Sequence, residues 1–116
     1  MVARVLRRLG GMVGPGVTTK ELDSVAEEMI LQDGGEPAFK GYQGYPATVC
    51  ASVNDQIVHG IPNDRPLSSG DILSLDVGVR WKGFYGDSAW TFPVGDIPKS
   101  LQQLLDVTRE SLFKGI

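Results

Sequence analysis

What this chain lacks narrows its chemistry before any motif is read. It contains one cysteine, Cys50, and one histidine, His59. A lone cysteine cannot close an internal disulfide, and one of each cannot build a Cys/His cluster of zinc-site spacing. A thiol left free suits a reducing compartment, so a cytoplasmic location is expected. Neither sign of charge dominates: eleven Lys and Arg stand against fourteen Asp and Glu, for a net charge of −3. That balance leaves no basic footprint for nucleic acid or an anionic membrane, and a small or peptide ligand is the simpler expectation. No apolar run reaches transmembrane length, and the basic start from Met1 to Leu9 lacks the uninterrupted apolar stretch of a secretory signal. Repeats and low-complexity segments are absent.

What is present suits one compact domain: 116 residues, 41% of them apolar. Val2, Val5, Leu6, Leu9 and Met12 recur at near-helical spacing until Gly14-Pro15-Gly16 stops them. Thr18 with Glu21 has the form of a capping box. Leu22, Val25, Ala26, Met29 and Ile30 follow on one helical face, ending before Gly34-Gly35. Residues 39 to 46, rich in Gly, Tyr and Pro, read as a shaped loop. The β-branched residues between Thr48 and Val58 suggest short strands around a turn at Asn54-Asp55. From Asp96 and Pro98 a last helix is expected, burying Leu101, Leu104, Leu105 and Leu112. The class is α/β in the α+β sense, antiparallel hairpins packed on helices.

The strongest pattern lies between Asp71 and Pro93. Leu73, Leu75, Val77 and Val79 alternate with polar or small residues, Trp81-Lys82-Gly83 offers a turn, and a second strand returns. With Trp81 and Lys82 at the centre of the turn, Asp76 falls opposite Asp87. Both then point away from the apolar row. Like charges directly opposed destabilise a strand pair, so two carboxylates so placed need a cation, a shared proton or a different register. Hard carboxylate oxygens suit divalent metals, and a pair of such ions is a common device for activating water. Exposed aspartates on a solvated face are the plain alternative. Asp71, Asp55, Asp64 and Asp96 read as turn or cap residues. His59, between Val58 and Gly60, is either a loop side chain or a functional one. Phe39, Tyr42 and Tyr45 are core or pocket lining, and Cys50 reads as a small buried hydrophobe.

Four short strings occur together in one order: Gly41-Tyr42-Gln43-Gly44-Tyr45-Pro46, Val58-His59-Gly60-Ile61-Pro62, Asp76-Val77-Gly78 and Gly86-Asp87, with Gly70-Asp71-Ile72 opening the strand. On these the chain resembles the type I methionine aminopeptidases, from about Val5 to Phe113. The resemblance implies the N-terminal half of the pita-bread fold, in which two similar halves pack a curved antiparallel sheet against helices around a site between them. It implies two divalent ions (cobalt, manganese, iron or zinc), with Asp76 a bidentate ligand to one and Asp87 bridging both. His59 becomes the catalytic, substrate-contacting histidine. Tyr42, Tyr45 and Cys50 line the methionine pocket, and Phe39 stands where the family often has a smaller residue. The substrates implied are peptides and nascent proteins with N-terminal methionine, and the ribosome is a candidate partner.

The family's remaining ligands, a histidine and two glutamates, have no match after Asp87. The expectation is therefore a single partial domain over residues 1–116, the N-terminal portion of a catalytic domain that requires a C-terminal half as its partner and is inactive alone. Two other readings compete. One is another pita-bread metallopeptidase such as a proline dipeptidase, whose paired aspartates share the separation of eleven. The other is a non-catalytic peptide-binding module.

Overall fold

The computed structural model describes residues 1–116. Helix α1, Val2–Met12, buries Val5, Leu6 and Leu9, the stripe that its spacing predicts. It ends at Val13, which is already extended ahead of Gly14 and Pro15. Helix α2, Thr19–Gln32, opens on the expected capping box. The Thr18 hydroxyl accepts the Glu21 amide at 3.1 Å, and the Glu21 carboxylate accepts the Thr18 amide at 3.0 Å. Two of the first-turn donors that a helix leaves without partners are thereby satisfied.

Four antiparallel strands form one sheet: β1, Glu36–Pro37; β2, Val49–Val53; β3, Ile72–Trp81; and β4, Phe84–Pro93. Strand β3 is central. Strand β4 pairs along its whole length on one edge, while β2 (opposite Leu73 to Val77) and β1 (opposite Val79 and Arg80) share the other edge end to end. Because strand side chains alternate, Leu73, Leu75, Val77 and Val79 all point one way and are at most 2% exposed. They meet Val49 and Ala51 of β2, Val5 and Leu9 of α1, and Leu22, Ala26 and Ile30 of α2 in one core. Each valine, leucine or isoleucine among them contributes about 1.5–3 kcal/mol by leaving water. Ser74, Asp76 and Gly78 alternate with that row and face the other side of the sheet.

Asp23, half-buried on α2, ties this helix to the start of β2. One of its carboxylate oxygens accepts the amides of Thr48 and Val49, both at 2.8 Å.

Two sequence expectations are corrected. Only one strand, β2, lies between Thr48 and Val58. Asn54 and His59 adopt left-handed backbone (φ 54° and 59°), which breaks the extended path, and Ile57 and Val58 stay exposed. The last helix, α3, Lys99–Gly115, begins after Pro98 as expected but buries none of its residues. Leu112 is 57% exposed, because α1 and α2 already cover the helix-bearing face of the sheet and no layer stands against the leucine side of α3. Strand β4 is likewise an open edge, with Phe84 79% exposed.

Candidate active site

The acidic pair is set by the β3–β4 turn. Lys82 and Gly83 both have positive φ (50° and 83°), as the two central residues of a type I′ hairpin turn require. Trp81 therefore pairs with Phe84, Gly78 with Asp87, and Asp76 with Ala89. The register read from sequence, with Trp81 and Lys82 central, is corrected by two residues. Glycine tolerates positive φ and tryptophan does not, so the turn slides forward to use Gly83. A slip of one would have turned Asp87 to the opposite face, but a shift of two preserves parity. The two aspartates remain on the face away from the core and meet along a diagonal.

Asp76 is half-buried, and one of its carboxylate oxygens, Oδ1, is buried with no hydrogen-bond partner. Its pKa is raised to about 6, chiefly by burial, then by a proton shared with Asp87 and the repulsion of that second carboxylate. His59, close enough to oppose this, offsets a smaller part. Two carboxylates that cannot easily both ionise, one carrying an unpartnered buried oxygen, are what a hard cation would relieve. In that sense the residues present fit a divalent metal. They fit as part of a ligand set, since the chain nowhere gathers three or more His, Cys, Asp or Glu able to hold an ion.

Cys50 lies directly across from Asp76 on β2. It is 5% exposed, and burial pushes its thiol pKa up, with Asp76 and Asp87 adding to the rise and Tyr45 opposing it. It is a neutral thiol packed beside the carboxylates, in agreement with the sequence reading of a small hydrophobe. Tyr45 has its hydroxyl 2.9 Å from the Val49 carbonyl oxygen and 3.1 Å from that of Gly60, and its single proton serves one at a time. Burial and the neighbouring Cys50 push the phenol far above its usual range. Phe39 lies on the same face, its ring filling the space over Gly78. A Cβ added there would come within 2.5 Å of Phe39 Cε1. Tyr42, by contrast, points outward from the short 3₁₀ turn Tyr42–Gly44, 67% exposed, with its hydroxyl 3.4 Å from Gln43 Nε2.

His59 occupies a strained conformation that costs a non-glycine residue roughly 1–3 kcal/mol. The next residue explains how it is held. Gly60 is buried; its carbonyl accepts the Ala51 amide at 2.8 Å, and its own amide donates to the Ser52 hydroxyl at 3.0 Å. Sequence reasoning passed over Ser52 and Gly60 as site residues. The signal in Ser52 was its parity with Cys50 on β2, which places it on the acidic face. A cleft of about 540 Å3 follows this face, walled by Cys50, Ser52, His59, Ser74 and Asp76 and, from α3, by Arg109. Ser74 and Thr91 share a hydrogen bond of 2.8 Å in its floor.

A three-strand antiparallel face carrying the half-buried Asp76 beside Asp87, backed by two helices, defines the class: the chain has the pita-bread fold of metal-dependent peptidases. Its backbone superposes on a methionine aminopeptidase from Thermotoga maritima with a TM-score of 0.96 and 40% identity over 99% of this chain and 47% of that one. For the methionine aminopeptidase of Rickettsia prowazekii the score is 0.96 at 38% identity, covering 98% of this chain and 46% of that one. The chain belongs to metallopeptidase family M24, whose model matches residues 1–116. Methionine aminopeptidase 1 of Bacillus subtilis is 49% identical over 116 residues, which are 100% of this chain and 47% of that protein. The chain thus spans about half the length of the curated relatives it matches.

Proposed function

We propose that the chain supplies the N-terminal half of the catalytic centre of a methionyl aminopeptidase, which removes methionine from the amino terminus of peptides and nascent proteins. The observation that carries this reading is the Asp76–Asp87 pair: a buried carboxylate oxygen without a partner beside a second carboxylate, on the face that also holds Cys50 and receives the His59 loop.

In this reading Asp76 and Asp87 hold two divalent ions, of cobalt, manganese, iron or zinc. Ions bound there would supply a water acidified to a pKa of about 7 and a polarised carbonyl. His59, exposed at the mouth of the cleft, contacts the peptide at the bond to be cut. Cys50 and Phe39, with the ring of Tyr45, present a soft apolar wall to a methionine side chain, and Tyr42, which points outward here, joins that wall only by turning inward. Residues 1–116 act as a partial domain, and the complementary half, as partner, brings the remaining ligands. Such an enzyme works on nascent chains in the cytoplasm, with the ribosome as a candidate partner. No helix here is long and apolar enough to cross a membrane.

The test is release of methionine from a Met-Ala peptide with added manganese or cobalt, by the chain alone and by the chain mixed with a separately made C-terminal half of a related enzyme. Activity in the mixture, lost in D76N and D87N, is the expected result. Absence of activity in both, with the chain shown to be folded, would sink the proposal.

A further inference from the structure

Nothing in its own backbone anchors His59. No hydrogen bond is made by the backbone or side chain of Ile57, Val58 or His59, and all three are exposed. Yet His59 keeps a left-handed φ of 59°, a conformation it would leave if free. The constraint must enter from the next residue, because the amide of Gly60 belongs to the peptide plane that His59 turns about its ψ angle.

Gly60 is clamped to β2 through both of its peptide planes. The Gly60 carbonyl accepts the Ala51 amide at 2.8 Å, and the Gly60 amide donates to Ser52 Oγ at 3.0 Å in a buried bond. The approach is so close that a Cβ on residue 60 would stand 2.2 Å from the Ala51 carbonyl oxygen, so only glycine fits. The Tyr45 hydroxyl, 3.1 Å from the Gly60 carbonyl oxygen, meets the same carbonyl that Ala51 holds, in the peptide after Gly60. Of these contacts, the one to Ser52 acts directly on the His59–Gly60 peptide. Ser52 is 3% exposed, pairs with Ser74, and so stands on the acidic face two residues from Cys50.

We propose that Ser52 is a positioning residue: its hydroxyl captures the Gly60 amide and thereby holds His59 in the left-handed conformation that presents the imidazole to the cleft beside Asp76. This rests on the reading of His59 as the substrate-contacting histidine. Without Ser52 Oγ the Gly60 amide is buried without an acceptor, and the loop gains by rotating that peptide toward water.

The test begins with the chain itself. In wild type, NMR should give a slowly exchanging Gly60 amide and the strong intraresidue amide-to-Hα NOE at His59 that a positive φ produces. In S52A, Gly60 exchange should rise by about tenfold or more and the NOE should weaken, while the amides of Leu75 and Val77 in the core stay protected; S52T, which keeps the acceptor, should restore both. Should S52A fail to fold, the same two readings on S52C decide. Unchanged exchange and NOE overturn the proposal. In the two-half mixture, S52A should lower kcat by about tenfold with KM within about twofold, and S52T should recover it. A kcat equal to wild type despite a loosened Gly60 also overturns it. A wild-type mixture without activity tells against the aminopeptidase reading alone, because the NMR readings test the Ser52 clamp independently.

Discussion

Asp76 and Asp87 face each other along a diagonal of the β3–β4 ladder, Asp76 opposite Ala89 and Asp87 opposite Gly78. Burial raises the pKa of Asp76 to about 6, and the neighbouring Asp87 carboxyl adds to the rise. The offset matters: directly opposed carboxylates would repel at the shortest cross-strand distance, whereas a diagonal pair stands farther apart.

Without divalent ions this pair should make stability depend on pH. Asp76 has a folded pKa of about 6 against an ordinary value of 3.8, so the folded chain binds the extra proton. Its contribution is fully present below about pH 4 and lost as pH rises through 6. Because Asp76 is only half-buried, solvent screening reduces the expected loss to on the order of 1 kcal/mol. Urea melts in EDTA at pH 5 and pH 8 should show the decline, and D76N should flatten it. Manganese should restore stability at pH 8 in wild type and not in D76N, with roughly millimolar affinity, since two carboxylates form an incomplete ligand set.

Gly78 leaves the space that Phe39 fills. G78A should therefore drive the ring out or bend the strand and cost about 1–3 kcal/mol in denaturant melts, whereas G78A combined with F39A should recover part of that loss. Additive losses would mean that the two residues do not touch in solution.

Cys50 should be inert while the chain is folded. Its thiol is buried and its pKa raised, so iodoacetamide at pH 8 should label it far more slowly than in urea. Rapid labelling of the native chain would show that the face beside Asp76 opens to solvent.

The open edge of β4 and the uncovered leucines of α3 should make the chain self-associate at high concentration. Sedimentation should show larger species that diminish in a variant carrying L104E and L112E, with the far-UV spectrum unchanged. A wild-type chain that stays monomeric at every concentration would contradict this.

The legible parts of the fold are those whose signal is local. The capping box at Thr18 and Glu21 and the stripe from Leu22 to Ile30 mark α2. The alternation from Leu73 to Val79 marks β3 and says which residues turn away from the core. The hairpin register depends on whether Trp81 or Gly83 joins Lys82 at the two positive-φ turn positions, and the structure uses Gly83. Leucines at helical spacing in α3 show that the helix has an apolar side but are silent on whether anything covers it. Ser52 carries only the weak signal of its parity with Cys50, and its role emerges when the Gly60 amide is brought against it from eight residues away.

By itself, then, the sequence determined the period of each element, the parity that puts Asp76 and Asp87 on one face, and the motifs shared with metallopeptidases, because all of these are set within a few neighbouring residues. The tertiary structure decided the rest: the diagonal between the aspartates, the clamp on the peptide after His59, and the uncovered side of α3. Those depend on which backbone atoms approach across the sheet, and distance along the chain does not fix distance in space.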